Sequence, residues 1–125
     1  MTIDETIIAK LKSLESIDDK KPYLTFIWGP RMGEIFSLDR EETQVGRSPD
    51  CHLWIEDGAI SRKHFVIKSV GDQDTLQDLG STNGTLVNGE KVSEKLLQDS
   101  DKIQISKDSI LEYTLLDETR RLSEK

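Results

Sequence analysis

The chain has 125 residues, 34% of them hydrophobic and 33% charged, and a formal net charge of −7. That length fits one domain with modest extensions, large enough to bury a core without metal or disulfides. The acidic balance disfavours nucleic acid and anionic membrane as partners, no apolar run approaches the roughly 20 residues of a membrane span, and no basic-then-apolar leader opens the chain. The lone Cys51 has no partner for an internal disulfide or a metal site. It reads as a small near-core residue and fits a reducing cytoplasm, where localisation is expected.

Residues 1–22 differ in pattern from the rest of the chain. Ile3, Ile7, Ile8, Leu11, Leu14 and Ile17 recur at helical spacing, with Thr2 and Glu5 as a capping box or Asp4 as a rival N-cap. The plain reading is an amphipathic helix that packs on the domain or on a second copy, giving a homodimer. Asp18 to Pro22 reads as a linker. From Tyr23 the pattern turns strand-like. Tyr23 to Trp28 is rich in aromatic and β-branched residues, Gly29 to Gly33 is a turn, and Glu34 to Leu38 returns. Thr43 to Val45, His52 to Ile55, Phe65 to Lys68 and Thr75 to Leu79 are further short strands, followed by Thr85 to Val87, Lys102 to Ile105 and Ile110 to Leu115. Many short strands between turn signals predict an all-β sandwich. Past Leu116, acidic residues precede basic ones, as suits either the start of a helix or a tail. The division is therefore 1–22 extension, 23–116 domain and 117–125 helix start or linker.

The most informative stretch runs from Asp78 to Thr85. Only small, polar, turn-forming residues separate Leu79 from Leu86. Asn83-Gly84 favours a tight strand-to-strand turn. Thr82 and Asn83 would then stand at its tip with a hydroxyl, a carboxamide and free backbone N–H groups, an arrangement suited to an oxyanion or a peptide backbone. Alone it is an ordinary hairpin turn. Two further stretches, Gly46-Arg47-Ser48 and Ser61-Arg62-Lys63-His64, each follow a strand-like run and carry hydroxyl and cationic groups. On an acidic body, such a cationic spot suits a discrete anion better than a long polyanion.

Taken in series, Gly46-Arg47, Ser61 to His64 and Ser81 to Thr85 resemble the forkhead-associated (FHA) family, and Val87 to Gly89 and Leu97 to Ile105 resemble its later strands. The resemblance covers Tyr23 to Leu116. It implies an FHA-type β-sandwich of two mostly antiparallel sheets with functional loops at one end, and a phosphothreonine-containing protein or peptide as partner, without cofactor or metal. It also implies the site: Arg47, Ser61, Arg62 and Thr82 for the phosphate, Asn83 for the ligand backbone, and Gly46, His64 and Gly84 as structural support. Arg62 and Lys63 could equally be surface charges, and Lys63 is left outside the site. Two residues before the site serine stands Ala59, so an acidic residue at the third ligand position loses support and a small or apolar one gains it. By the same analogy the chain resembles an N-terminal sensory part of a larger signalling protein, with an output such as a diguanylate cyclase in cyclic di-GMP signalling. Thr2 and Thr6 are candidate phosphosites, which would make the N-terminal segment a ligand of its own domain.

Two other classes compete. An enzyme could use Ser61 and His64 as nucleophile and base, but no third orienting group or oxyanion loop can be assigned and no P-loop pattern is present. A phosphate-independent assembly or dimerisation domain could use the N-terminal helix or a strand edge.

Overall fold

The computed structural model describes residues 20–116, so the expected N-terminal helix, Thr2, Thr6 and the expected C-terminal helix start or linker lie outside the described residues. Among the described residues there is no helix, and eleven strands form two sheets. The strands are β1 (Lys21–Trp28), β2 (Ile35–Ser37), β3 (Glu42–Gly46), β4 (Leu53–Trp54), β5 (Phe65–Val70), β6 (Gln73–Asp78), β7 (Thr85–Val87), β8 (Glu90–Val92), β9 (Glu94–Leu96), β10 (Lys102–Ser106) and β11 (Ser109–Leu116). One sheet runs β2-β1-β11-β10-β7-β8 and the other β4-β3-β5-β6-β9. Among the described residues the strands pair antiparallel, except β3 with β4. The expected all-β sandwich of mostly antiparallel sheets is thus present.

Alternation explains the layering. Leu24 and Phe26 on β1, Leu111 and Tyr113 on β11, and Ile103 and Ile105 on β10 point to one inner face, with exposed or half-buried residues between them. Val45, Leu53, Phe65, Ile67 and Leu76 come from the other sheet, and together they form one core. A polar tie crosses that core: the buried Tyr113 hydroxyl on β11 donates to the Asp74 carboxylate on β6. Burial and that carboxylate both push the phenol's pKa upward, so Tyr113 remains a donor.

Three details differ from the sequence reading. Strand β1 begins at Lys21, inside the stretch read as linker. The edge strands β8 and β9 are absent from that reading, because Glu90, Lys91, Glu94 and Lys95 give them little apolar signal. Such charges are what an unpaired sheet edge carries to deter further pairing. The tight hairpin is also not at Asn83-Gly84. It is at Asn88-Gly89, where φ is 53° and 86° and Val87 pairs with Glu90, as a two-residue turn requires. Strands β6 and β7 belong to different sheets, so residues 79–84 are a connection between layers. That longer path carries Thr82 and Asn83 to one end of the sandwich.

Candidate functional site

Three loops meet at that end: residues 47–52 after β3, residues 55–64 after β4, and residues 79–84 after β6. What joins them is main chain. Four successive carbonyls of the second loop each hold a group from another loop. Ala59 O accepts from Asn83 Nδ2 at 2.9 Å, and Ile60 O accepts from Arg47 Nε at 3.0 Å. Ser61 O and Arg62 O accept from the amides of Arg47 and Ser48, both at 3.0 Å. Arg62 O also accepts from the buried Cys51 thiol at 3.2 Å. Burial raises the pKa of that thiol, so Cys51 is a packed donor in the first loop.

The exposed Arg47 side chain is thereby fixed through Nε. Its two terminal nitrogens remain for a bidentate anion. The Ser61 hydroxyl accepts from the Thr82 amide at 2.9 Å, so its own hydrogen can be donated outward. Asn83 spends an Nδ2 hydrogen on Ala59 and keeps its carboxamide oxygen for a ligand N–H. Arg62, Lys63 and Thr82 are exposed on the same loops.

His64 is fully buried. Its Nδ1 accepts from the Ser61 amide at 3.0 Å, and its Nε2 lies 2.8 Å from Gly84 O. An amide can only donate and a carbonyl can only accept, which places the ring hydrogen on Nε2. The imidazole therefore ties the second loop to the third. The nucleophile–base reading fails here, because His64 faces the Ser61 amide and not its hydroxyl.

Glycine is required at two places. A Cβ on Gly46 would lie 2.2 Å from Arg62 O, in the pairing that seats Arg47 beside Ser61. Gly84 has φ of +84°, a region L side chains rarely adopt. Gly46→Ala is expected to cost about 1–3 kcal/mol, since backbone must move to relieve the overlap. A calorimetric Tm equal to that of the parent would contradict the close approach.

One organising residue escapes the sequence reading. Asp78, at the end of β6, accepts from the amides of Gly80 and Ser81 at 2.9 and 3.0 Å. Its other oxygen accepts from the hydroxyls of Ser81 and Thr85 at 2.6 and 2.8 Å. Burial works to raise its pKa, but these four bonds outweigh it and hold the carboxyl below its ordinary value. The signal is present in the chain: an Asp followed at two and three residues by Gly and Ser is an Asx-turn pattern. The third loop also departs from the expectation of free N–H groups at its tip. The amides of Gly80, Ser81 and Thr82 are consumed by Asp78 and Ser61, so they are not free for an anion. The exposed Arg47 and Thr82 side chains and the half-buried Ser61 hydroxyl are left to hold one. Among the described residues no group of three His, Cys, Asp or Glu side chains is placed to hold a metal, and no helix is long and apolar enough to cross a membrane.

The family model for the FHA domain matches residues 43–106, from β3 through β10, which takes in all three loops. The chain belongs to the FHA family. It is 38% identical over 94 residues to an oxoglutarate dehydrogenase inhibitor of Corynebacterium jeikeium, covering 75% of this chain and 65% of that protein. It is 34% identical to the glycogen accumulation regulator GarA of Mycolicibacterium smegmatis, covering 78% of this chain and 61% of the relative. The FHA chain thus spans less than two thirds of either. A solved structure from a structural and functional analysis of phosphothreonine-dependent FHA domain interactions superposes with a TM-score of 0.69 at 32% identity, covering 75% of this chain and 95% of that one.

Proposed function

We propose that the chain is a non-enzymatic, cytoplasmic module that binds phosphothreonine peptides and regulates a partner protein by doing so. The observation that carries this is the convergence of Arg47, Ser61, Thr82 and Asn83 on one loop cluster, in which main-chain groups fix the Arg47, Ser61 and Asn83 side chains. A phosphothreonine presents about −2 charge and three strong acceptors. The free end of Arg47 supplies two donors, the Ser61 and Thr82 hydroxyls supply two more, Arg62 adds a second cation, and Asn83 binds ligand backbone. Gly46, His64 and Gly84 hold the loops. The similarity to a structure named for phosphothreonine-dependent FHA interactions supports the same ligand class. The Corynebacterium and Mycolicibacterium relatives are named as an inhibitor and a regulator. The reading therefore rests on capture of a partner and not on an attached diguanylate cyclase. The chain's own Thr2 and Thr6 are candidate sources of the ligand.

A pull-down against a degenerate phosphothreonine peptide pool and its unphosphorylated twin tests this. Retention of the phosphorylated pool alone is expected, and equal retention would favour phosphate-independent assembly. In a fixed peptide, phosphothreonine is expected to bind more tightly than phosphoserine. Its extra methyl is worth about 0.8 kcal/mol, roughly fourfold, from burial alone. Equal affinities in a calorimetric titration would show that no methyl recess exists.

A further inference from the structure

The loop that carries Ala59, Ile60 and Ser61 is rooted in the opposite sheet through one side chain. Asp57, half-buried near the start of that loop, uses both carboxylate oxygens. Oδ1 accepts from the Ala59 amide at 2.9 Å, and Oδ2 accepts from the Ser106 hydroxyl at 2.6 Å. The Asp57 carbonyl accepts from the Ile60 amide at 3.0 Å, which closes a turn from Asp57 to Ile60. Ser106 ends β10 in the six-stranded sheet, whereas β4 and β5, which flank the loop, belong to the five-stranded one. The buried Ser106 oxygen accepts from the Asp108 amide at 3.2 Å, so its hydrogen is left for Asp57. A second tie also crosses between the sheets: Arg31, from the β1–β2 turn, donates to the Trp54 carbonyl at 2.8 Å. Arg31 and Asp57 line one groove at this end of the sandwich, together with Trp28 and Trp54.

The grip of Asp57 passes directly to the residues read as ligand contacts. The peptide unit between Ala59 and Ile60 donates its N–H to Asp57 and offers its carbonyl to Asn83 Nδ2 at 2.9 Å. The next carbonyl, that of Ile60, holds Arg47 Nε at 3.0 Å. We infer that Asp57 is a positioning residue for the phosphothreonine site: anchored on Ser106 of the opposite sheet, it sets the two carbonyls that aim Asn83 and Arg47 at the ligand. This rests on the phosphothreonine reading. The role needs the carboxylate, which accepts on both oxygens. The bonds from Ser106 and Ala59 hold that carboxyl below its ordinary pKa, against the effect of burial. Asp78 orders the third loop through near neighbours in sequence, whereas Asp57 reaches Ser106, 49 residues along the chain. The spacing of the two sheets is thereby built into the site.

The test begins on the full chain without ligand. Proton–nitrogen NMR of isotope-labelled protein, well below the melting temperature, reads the Asn83 carboxamide and the Arg47 Nε–H directly. In Asp57→Ala both signals should move to the shifts and exchange rates of solvated groups. Ser106→Ala keeps the turn and cuts only the cross-sheet bond, and it should move both signals in the same direction. Asp57→Asn should restore them, since its oxygen can accept from the Ala59 amide and its NH2 can donate to Ser106 Oγ. One phosphothreonine peptide recovered from the degenerate pool is then titrated into each protein. Asp57→Ala is expected to weaken binding about tenfold, Ser106→Ala about threefold or more, and Asp57→Asn by less than about threefold. A lowered melting temperature with both signals and the affinity unchanged would make Asp57 a fold-stabilising contact only and overturn the inference. Should Asp57→Ala not fold, Ser106→Ala decides, and unmoved signals in that variant overturn it as well. Failure of the parent to bind any phosphopeptide would overturn the phosphothreonine reading, and this inference with it. The ligand-free signals tell that failure apart from a failure of Asp57 to position the loop.

Discussion

Arg47→Ala is expected to weaken phosphothreonine-peptide binding by roughly a hundredfold or more while leaving the fold intact. The two terminal guanidinium nitrogens can each make a charge-assisted bond to phosphate, and such bonds are worth about 1.5–3 kcal/mol. Two of them lost amount to at least about 3 kcal/mol, or more than two decades in Kd. The structural cost is small, because the side chain is exposed and the backbone bond from Arg47 to Ser61 O survives the substitution. What disappears is one part-buried bond to Ile60 O. Arg47→Lys should recover only part of the affinity, since an ammonium is a point charge and cannot keep the bond to Ile60 while forking onto phosphate. Isothermal titration with a phosphothreonine peptide reads both variants. An affinity for Arg47→Ala within threefold of the parent would remove Arg47 from the site.

His64→Ala is expected to damage stability and binding together. The buried ring satisfies the Ser61 amide and the Gly84 carbonyl at once. Each buried group left unpaired costs about 1–3 kcal/mol, and the emptied volume adds a cavity term. For a domain of this size the melting temperature should fall by about 10 °C or more. Binding should fall too, because Ser61 and Thr82 are set in register through the loops that this ring ties. His64→Gln keeps an acceptor and a donor on a shorter reach and should fall between the two. A variant that melts like the parent but no longer binds peptide would make His64 a ligand contact and refute its bracing role.

These two residues also show what the sequence can and cannot reveal. Arg47, Ser61, Thr82 and Asn83 are legible because their side chains carry the chemistry and their series is distinctive. What positions them is hidden. The acceptors that fix Arg47 and Asn83 are the carbonyls of Ile60 and Ala59, and a carbonyl looks the same under any side chain. The strands follow alternation where one face is buried, as in β1 and β11. Alternation fails at β8 and β9, where Glu90-Lys91-Val92 and Glu94-Lys95-Leu96 serve as charged edges. The Asn-Gly signal is sound chemistry read at the wrong copy. Asn88-Gly89 lies between strands that pair with each other, whereas Asn83-Gly84 lies between strands of different sheets, and only three-dimensional pairing tells the two apart. Equally invisible is the groove that Trp28 of one sheet and Trp54 of the other line together, since the two are far apart in sequence.

The central claim is that the three converging loops hold a phosphothreonine. The most direct measurement is a map of backbone amide chemical shifts in isotope-labelled protein, titrated with one threonine peptide in phosphorylated and unphosphorylated form. With the phosphopeptide, saturable shifts should concentrate at residues 46–48, 59–64 and 80–84, and the unphosphorylated peptide should leave these amides unmoved. Shifts of equal size with both peptides, or phosphopeptide shifts that spare Arg47, Ser61 and Thr82, would contradict it.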